Sequence, residues 1–157
     1  MMTVSLERGG VIPDFTLVNI HGEAISSRSF YMRRNFVIAL LPDDVGEPRE
    51  PWLHQILETI GTIPARDVIC LIITQPDAIP DYSRFSDFKL GGDRVQLLID
   101  KDQTVSRMLE QGSGKGKLLI TDRYGVIFHA VSGDPSSPEM DPSEIPSWIE
   151  LIACRCS

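Results

Sequence analysis

The three cysteines are the residues whose side chains could do redox chemistry. Cys70 lies within an apolar run, whereas Cys154 and Cys156 stand one residue apart near the C-terminus, on either side of Arg155. A thiol attacks only as its thiolate, and a neighbouring arginine favours that form. Free cysteine in an apolar run is typical of a buried core residue. We therefore predict that Cys70 is inert, and that Cys154 and Cys156 are either a redox or metal-binding pair or a tail without chemistry.

An acidic cluster could instead bind a cation. Its members are Asp43, Asp44, Glu47 and Glu50, and His54 follows Glu50 by one helical turn. Acidic residues also favour the first turn of a helix, because its free N–H groups carry partial positive charge. We expect this second explanation to hold, with no bound metal and no cofactor.

Other polar residues give weaker signals. His21 and His129 stand alone and are expected to be structural or exposed. Arg33 and Arg34 precede an apolar run, and we predict a solvated pair. The glycine-rich stretch 112–117 lacks the spacing of a phosphate-binding loop and precedes a strand rather than a helix, so nucleotide binding is not expected there.

The bulk composition is that of one soluble domain. The chain has 157 residues, 42% hydrophobic and 24% charged, with a formal net charge of -7. We predict a single domain over residues 1–157. The negative charge disfavours nucleic acid and anionic membranes, and no run approaches the ~20 apolar residues of a membrane span. Residues 1–10 do not resemble a signal peptide, so a cytoplasmic location with reduced thiols is expected.

Hydrophobic patterning predicts alternating strands and helices. Strands are expected at 11–17, 24–25, 35–41, 67–74, 95–99, 118–121 and 126–131, the last two forming a hairpin around 122–125. Helices are expected at 51–60, around the aromatic residues Tyr82, Phe85 and Phe88, around Val105, Met108 and Leu109, and from Pro142 through Ile152. Stretches 112–116 and 134–142 are predicted to be surface loops. Helices between buried strands imply crossover connections and a largely parallel sheet core.

Several of these strings resemble the peroxiredoxin and redoxin branch of the thioredoxin fold. The N-terminal motif of that family is similar to Pro13-Asp14-Phe15-Thr16-Leu17 followed by the turn His21-Gly22-Glu23. The runs 36–42 and 118–127 resemble its first core strand and its late hairpin, and 142–152 its last helix. The resemblance implies an α/β thioredoxin-like fold, with a mixed central β-sheet, helices on both faces and an N-terminal β-hairpin extension.

The reactive cysteine of that family is missing from this sequence. The family places it after the first core strand, at the start of the first long helix, where the helix N-terminus stabilises a thiolate. The corresponding stretch 42–53 contains no cysteine. In the peroxiredoxin register the nucleophile falls near Arg49, and in the CxxC register the pair falls near Val45 and Pro48. Residues 48–53 still resemble the sequence that follows a CxxC motif.

A second family feature is missing as well. Relatives carry a cis-proline before the late strand, packed against the reactive sulfur, where this chain has Lys115-Gly116-Lys117. A cis bond before a residue other than proline costs ~3 kcal/mol, so we expect a trans bond. The two losses predict a redoxin-like protein without peroxidase or disulfide-reductase activity, acting as a binding or regulatory module with a protein partner or as a homodimer. The alternative is a thiol peroxidase or oxidoreductase that uses Cys154 and Cys156.

Overall fold

The computed structural model describes residues 7–42, 49–80, 94–109 and 115–155. The strands in these ranges are β1 (Thr16–Asn19), β2 (Ala24–Ser26), β3 (Asn35–Leu40), β4 (Val68–Thr74), β5 (Val95–Ile99), β6 (Gly116–Thr121) and β7 (Ile127–Gly133). The α-helices there are α1 (Arg49–Ile60), α2 (Thr104–Met108) and α3 (Ile145–Arg155). Predicted strand and helix positions are confirmed for each of these elements, with shifts at some ends. The predicted aromatic helix around Tyr82 lies outside the described residues.

Within those ranges the seven strands form one mixed sheet, in the order β2-β1-β5-β4-β3-β6-β7. The central strands β5, β4 and β3 are parallel, whereas β6 and β7 extend the sheet antiparallel on one side. The hairpin of β1 and β2 extends it on the other side, with β1 antiparallel to β5. The mixed sheet with an N-terminal hairpin extension is therefore confirmed.

The two faces of the sheet carry separate apolar layers because side chains alternate along a strand. Val37 and Ala39 of β3 belong to the layer covered by α1 and α3. Phe36, Ile38 and Leu40 belong to the opposite layer. That second layer is closed by residues of α2 and of the segment before β1. Helices therefore lie on both faces, as the fold class required.

Helix α1 follows from its sequence. Leu53, Ile56, Leu57 and Ile60 recur at helical spacing, and all four are buried. Gly61 follows the last helical residue, and its N–H donates to the Leu57 carbonyl at 3.0 Å. The helix begins at Arg49 rather than at Pro51.

Two other strand boundaries and the burial of one loop residue differ from the predictions. The first strand begins at Thr16 rather than near Val11, which makes a single bridge to Val126; Pro13 has no N–H to donate to a ladder. Gly116 belongs to β6 rather than to a loop. Within the predicted surface loop 134–142, Met140 is fully buried.

In the described part of the chain, every helix is too short or too polar to cross a membrane.

Candidate functional site

Arg49 is the first residue of α1, close to where β3 ends, and its side chain is fully buried. Its Nη1 donates to the carbonyl oxygen of Ala78 at 2.5 Å. Its Nη2 and Nε both donate to Oε1 of Glu50, at 2.8 and 3.2 Å. A buried guanidinium is tolerable only when it is paired and hydrogen-bonded, and Arg49 meets both conditions.

The carbonyl of Ala78 accepts from two side chains. Besides Arg49, the hydroxyl of Thr74 donates to it at 3.0 Å. Thr74 is the last residue of β4, and Ala78 ends the short 3-10 turn that follows this strand. The start of α1 is therefore tied to the end of β4 through a single buried carbonyl.

Trp52 fills the space beside Arg49, one helical turn further along α1. The indole is buried, and its Nε1 donates to the carbonyl of Met140 at 2.7 Å. Gly116, in the place where the family resemblance expects a cis-proline, packs against the same ring. A Cβ added at Gly116 would lie 3.3 Å from Trp52 Cζ3 and Cη2 and from Met140 Cε. The described part of this region is therefore tightly packed, and a larger residue at position 116 would require the ring of Trp52 or the end of Met140 to move.

The predicted nucleophile position is thus occupied by a paired cation. The guanidinium of Arg49 carries only hydrogen-bond donors and has no lone pair available for attack. Val45 and Pro48, the other two positions of the predicted loop, lie outside the described residues. At the start of α1 the described residues form an ion pair between a buried guanidinium and a partly exposed carboxylate, and no thiol.

The two cysteines that the structure describes lie away from this position. Cys70 is fully buried in β4, and burial raises its pKa far above the ordinary value, which agrees with an inert core thiol. Cys154 is exposed near the end of α3. Its neighbour Ala153 lines a hollow together with Arg33, which precedes β3. Cys156 lies outside the described residues.

This arrangement separates Cys154 from Arg49 by the length of the sheet. Strand β3 runs from Asn35, beside that hollow, to Leu40. Six residues of strand span about 20 Å. Cys154 therefore lies at the opposite end of the sheet from the start of α1.

The acidic cluster does not form a metal site in the described residues. Glu50 pairs with Arg49, and His54 lies 3.0 Å from Glu58 on the exposed side of α1. Asp43, Asp44 and Glu47 lie outside the described ranges. Within those ranges, no group of three or more histidine, cysteine or acidic side chains could hold an ion.

The prediction for Arg33 and Arg34 is correct for the first residue and wrong for the second. Arg33 is exposed. Nη1 of Arg34, in contrast, is buried and has no hydrogen-bond partner in the described chain.

A buried polar network at the same edge of the sheet was not predicted. Oδ2 of Asp100 accepts from the backbone N–H and the hydroxyl of Ser106, both at 2.7 Å. The amide of Gln75 donates to that hydroxyl at 3.0 Å. Gln75 and Asp100 directly follow β4 and β5, and polar residues at the carboxyl ends of parallel strands were the available signal. Because its described members bond one another, this network fixes loops rather than presenting free groups.

His129 is half-buried and stacks on Trp148, with ring centroids 4.8 Å apart. Burial lowers the pKa of His129 below its ordinary value of 6.5, and the charge of Glu144 partly offsets this. The unfolded chain then binds a proton at a higher pH than the folded chain does. We therefore expect the contribution of neutral His129 to the free energy of unfolding to be fully present above about pH 6.5 and to decrease as the pH falls below that value.

The test compares His129→Phe, which keeps a ring on Trp148 but cannot protonate, with the wild type. Urea unfolding at about pH 7.5 and about pH 5.5 should show a smaller loss of stability in the variant. His54→Gln, which changes an exposed histidine, serves as the control and should follow the wild type. Equal losses in wild type and His129→Phe would contradict the role of His129.

The chain is similar in structure to a thiol-disulfide oxidoreductase domain, a peroxiredoxin and a thioredoxin. No protein-family model matches the sequence, and no curated protein matches it in sequence. The thioredoxin domain of a thiol-disulfide oxidoreductase from Bacteroides vulgatus shares a TM-score of 0.64 at 14% identity, covering 92% of this chain and 99% of that one. The reduced 2-Cys peroxiredoxin of Plasmodium vivax shares a TM-score of 0.65 at 17% identity, covering 94% and 97%. The exposed lipoprotein thioredoxin Etrx1 of Streptococcus pneumoniae aligns with a TM-score of 0.58 at 12% identity, and the alignment covers 88% of this chain and 99% of that one.

Structural similarity at such low sequence identity establishes the fold but not the activity, because one fold hosts many functions and the chemistry depends on the residues of the site. The alignments cover 88% or more of this chain and 97% or more of each of the three similar chains. The chain therefore has the thioredoxin-like fold.

Proposed function

We propose that this protein is a thioredoxin-fold binding module in which the thiol chemistry of the fold has been lost. The observation that carries this proposal is Arg49. It lies near the position that the peroxiredoxin register predicts for the nucleophile, and its guanidinium is fully buried and hydrogen-bonded to Glu50 and the Ala78 carbonyl.

The packing around Trp52 supports the same proposal. A substrate peroxide or disulfide needs an opening next to the reacting atom. Here the ring of Trp52 lies against Gly116 and Met140. Of the residues at this position that the structure describes, Arg49, Trp52 and Met140 are each almost fully buried.

The alternative is a thiol peroxidase or oxidoreductase that uses Cys154 and Cys156. Its support is the exposure of Cys154 and the presence of Arg155 between the two thiols. Against it stands the position of Cys154 at the far end of the sheet from Arg49. A cytoplasmic, reducing location belongs to the proposal in either form, since an odd number of cysteines argues against a disulfide framework.

A peroxide-consumption assay tests the proposal. The full chain is incubated with hydrogen peroxide and dithiothreitol, next to an active peroxiredoxin as the positive control. We expect the rate to equal that of dithiothreitol alone. Turnover above that rate, abolished in Cys154→Ser or Cys156→Ser, would establish the alternative instead.

A second measurement follows the thiols directly. Alkylation rates of the wild type and of the two serine variants are compared over a range of pH, because the rate reports the thiolate. We expect rates typical of ordinary exposed thiols. A thiol that reacts as a thiolate well below neutral pH would favour the tail-pair enzyme.

A further inference from the structure

The end of the sheet opposite Arg49 carries a concentration of arginine that the acidic composition does not lead one to expect. The chain has a formal net charge of -7. Yet several arginines of the described chain lie around the start of β3. Arg33, Arg66 and Arg123 share a hollow with Asn35, Arg28 lines a groove with Phe36, and Arg34 directly precedes the strand. We call this end of the sheet the arginine face.

Few carboxylates balance this charge. Asp14 lies 3.8 Å from Arg28, and Asp67 lies 3.9 Å from Arg66, both as exposed pairs. In the described ranges, Arg33, Arg34 and Arg123 form no ion pair. The carboxylate of Asp122 is engaged elsewhere, since it accepts from the backbone N–H groups of Tyr124 and Val126 at 2.8 and 2.9 Å.

Three of these arginines surround one hollow. Arg33, Arg66 and Arg123 come from three separate connections and line a depression of about 240 Å³. Asp67 also lines it and pairs with Arg66 at 3.9 Å, which leaves Arg33 and Arg123 without a carboxylate partner in the described chain. A guanidinium group matches the planar geometry of a carboxylate. The hollow therefore fits an anionic side chain.

A groove with both apolar and polar walls lies next to this hollow. It has a volume of about 360 Å³; its apolar walls include Ile12, Phe36, Tyr31 and Tyr124, and its polar walls include Asp14 and Arg28. The rings of the two tyrosines meet edge to face, 6.0 Å apart. The guanidinium of Arg123 lies 5.1 Å from the ring of Tyr124, so that the hollow and the groove share a wall.

The turn between the groove and the hollow is held in an unusual conformation. Met32 has a φ of 69°, a left-handed value that a non-glycine residue rarely adopts, and its side chain is 61% exposed. Its N–H donates to the carbonyl of Arg123 at 2.7 Å. Strained backbone that is fixed by a neighbouring turn often marks a functional surface, and this one sets Tyr31 and Arg33 on its two sides.

We propose that the arginine face binds an acidic segment of a partner protein, with an apolar side chain in the groove and a neighbouring carboxylate in the arginine hollow. Tyrosine, methionine and arginine are enriched at protein interfaces. The charge of the face is opposite to that of the chain as a whole, so a carboxylate-bearing partner is favoured over a basic one. The inference rests on the proposed binding role but not on the loss of thiol chemistry, and peroxide turnover would leave it intact.

Selection from a displayed library of random peptides tests the proposal on the full chain. We expect enrichment of peptides in which Asp or Glu lies next to an aromatic or large aliphatic residue. Selection of basic peptides, or no enrichment, would overturn the proposal.

The best synthetic peptide is then titrated against variants by fluorescence anisotropy. Reversing the charge in Arg33→Glu with Arg123→Glu should weaken binding by about tenfold or more, because like charges would face each other. Tyr31→Ala should also weaken peptide binding, because it removes one wall of the groove. Arg107→Glu, a charge reversal on an exposed arginine elsewhere, is the matched control and should bind like the wild type.

Three outcomes would contradict a separate acidic partner. Equal affinity in the wild type and the Arg33 and Arg123 double variant would place the peptide elsewhere. Concentration-dependent self-association by sedimentation, lost in that double variant, would make the face a homodimer interface. Binding to phosphatidylserine vesicles with no preference among peptides would assign it to a membrane surface.

Discussion

Replacing Arg49 by alanine is expected to lower the free energy of unfolding by about 2–3 kcal/mol, because a large buried side chain and its hydrogen bonds are lost. The substitution removes a fully buried side chain and leaves a space at the start of α1. It also removes the donor to the Ala78 carbonyl and the partner of Glu50. Urea unfolding followed by circular dichroism measures the loss.

Two further variants separate the causes. Arg49→Met keeps most of the volume without the charge, and the Ala78 carbonyl keeps its bond from Thr74. Because the side chain of Glu50 is 23% exposed, it can turn to water. We therefore expect Arg49→Met to cost less than Arg49→Ala, as apolar replacements of buried ion pairs often do.

The control for this series is Arg107→Ala. The side chain of Arg107 makes an exposed bond to the Asp102 carbonyl, and such surface changes shift stability within about 0.5 kcal/mol. A stability of Arg49→Ala equal to that of Arg107→Ala would show that the ion pair and its packing do not hold the start of α1.

The described strands and helices were predictable because local patterns determine them. An uninterrupted apolar run such as 68–74 is buried on both faces, and every residue of β4 is buried. The helical spacing of Leu53, Ile56 and Leu57 likewise defines the core side of α1. Such patterns need no knowledge of distant residues.

The site was only partly predictable because its contacts join distant residues. The absence of a cysteine near Arg49 can be read from the chain. The burial of Arg49 cannot, since it depends on a carbonyl that lies 29 residues away at Ala78. In the same way, Met140 lies within a loop sequence rich in proline and serine, and its burial depends on Trp52, 88 residues away.

The arginine face shows the same limit. Arg33 and Arg34 look like one solvated pair in the sequence, but the fold separates their environments. Arg66 and Arg123 join Arg33 because β3, β4 and the β6–β7 turn meet at one end of the sheet. Clustering of charge across three connections is a property of strand order, which a local pattern does not encode.

Trp52→Ala is the second substitution with a large expected effect, about 3–5 kcal/mol of lost stability. The indole is 2% exposed and belongs to the layer between α1, α3 and the sheet. Trp52→Phe should cost less, because it keeps much of the apolar volume and loses mainly the bond to the Met140 carbonyl. That carbonyl would be left buried without its donor, which costs about 1–3 kcal/mol. Unfolding in urea gives both values.

A double-mutant cycle shows whether Gly116 is required by the tryptophan ring. In the wild type, Gly116→Ala would bring a methyl group to 3.3 Å from Trp52 Cζ3 and Cη2, and overpacking of this kind typically costs about 1–3 kcal/mol. Phenylalanine lacks the ring that carries those two atoms, while the third close atom, Met140 Cε, ends a flexible side chain. Gly116→Ala should therefore be nearly neutral in the Trp52→Phe background, giving a coupling of about 1 kcal/mol. Additive losses would mean that the glycine is needed for another reason. A measured coupling would instead show that the absence of a side chain at Gly116 and the indole of Trp52 depend on each other.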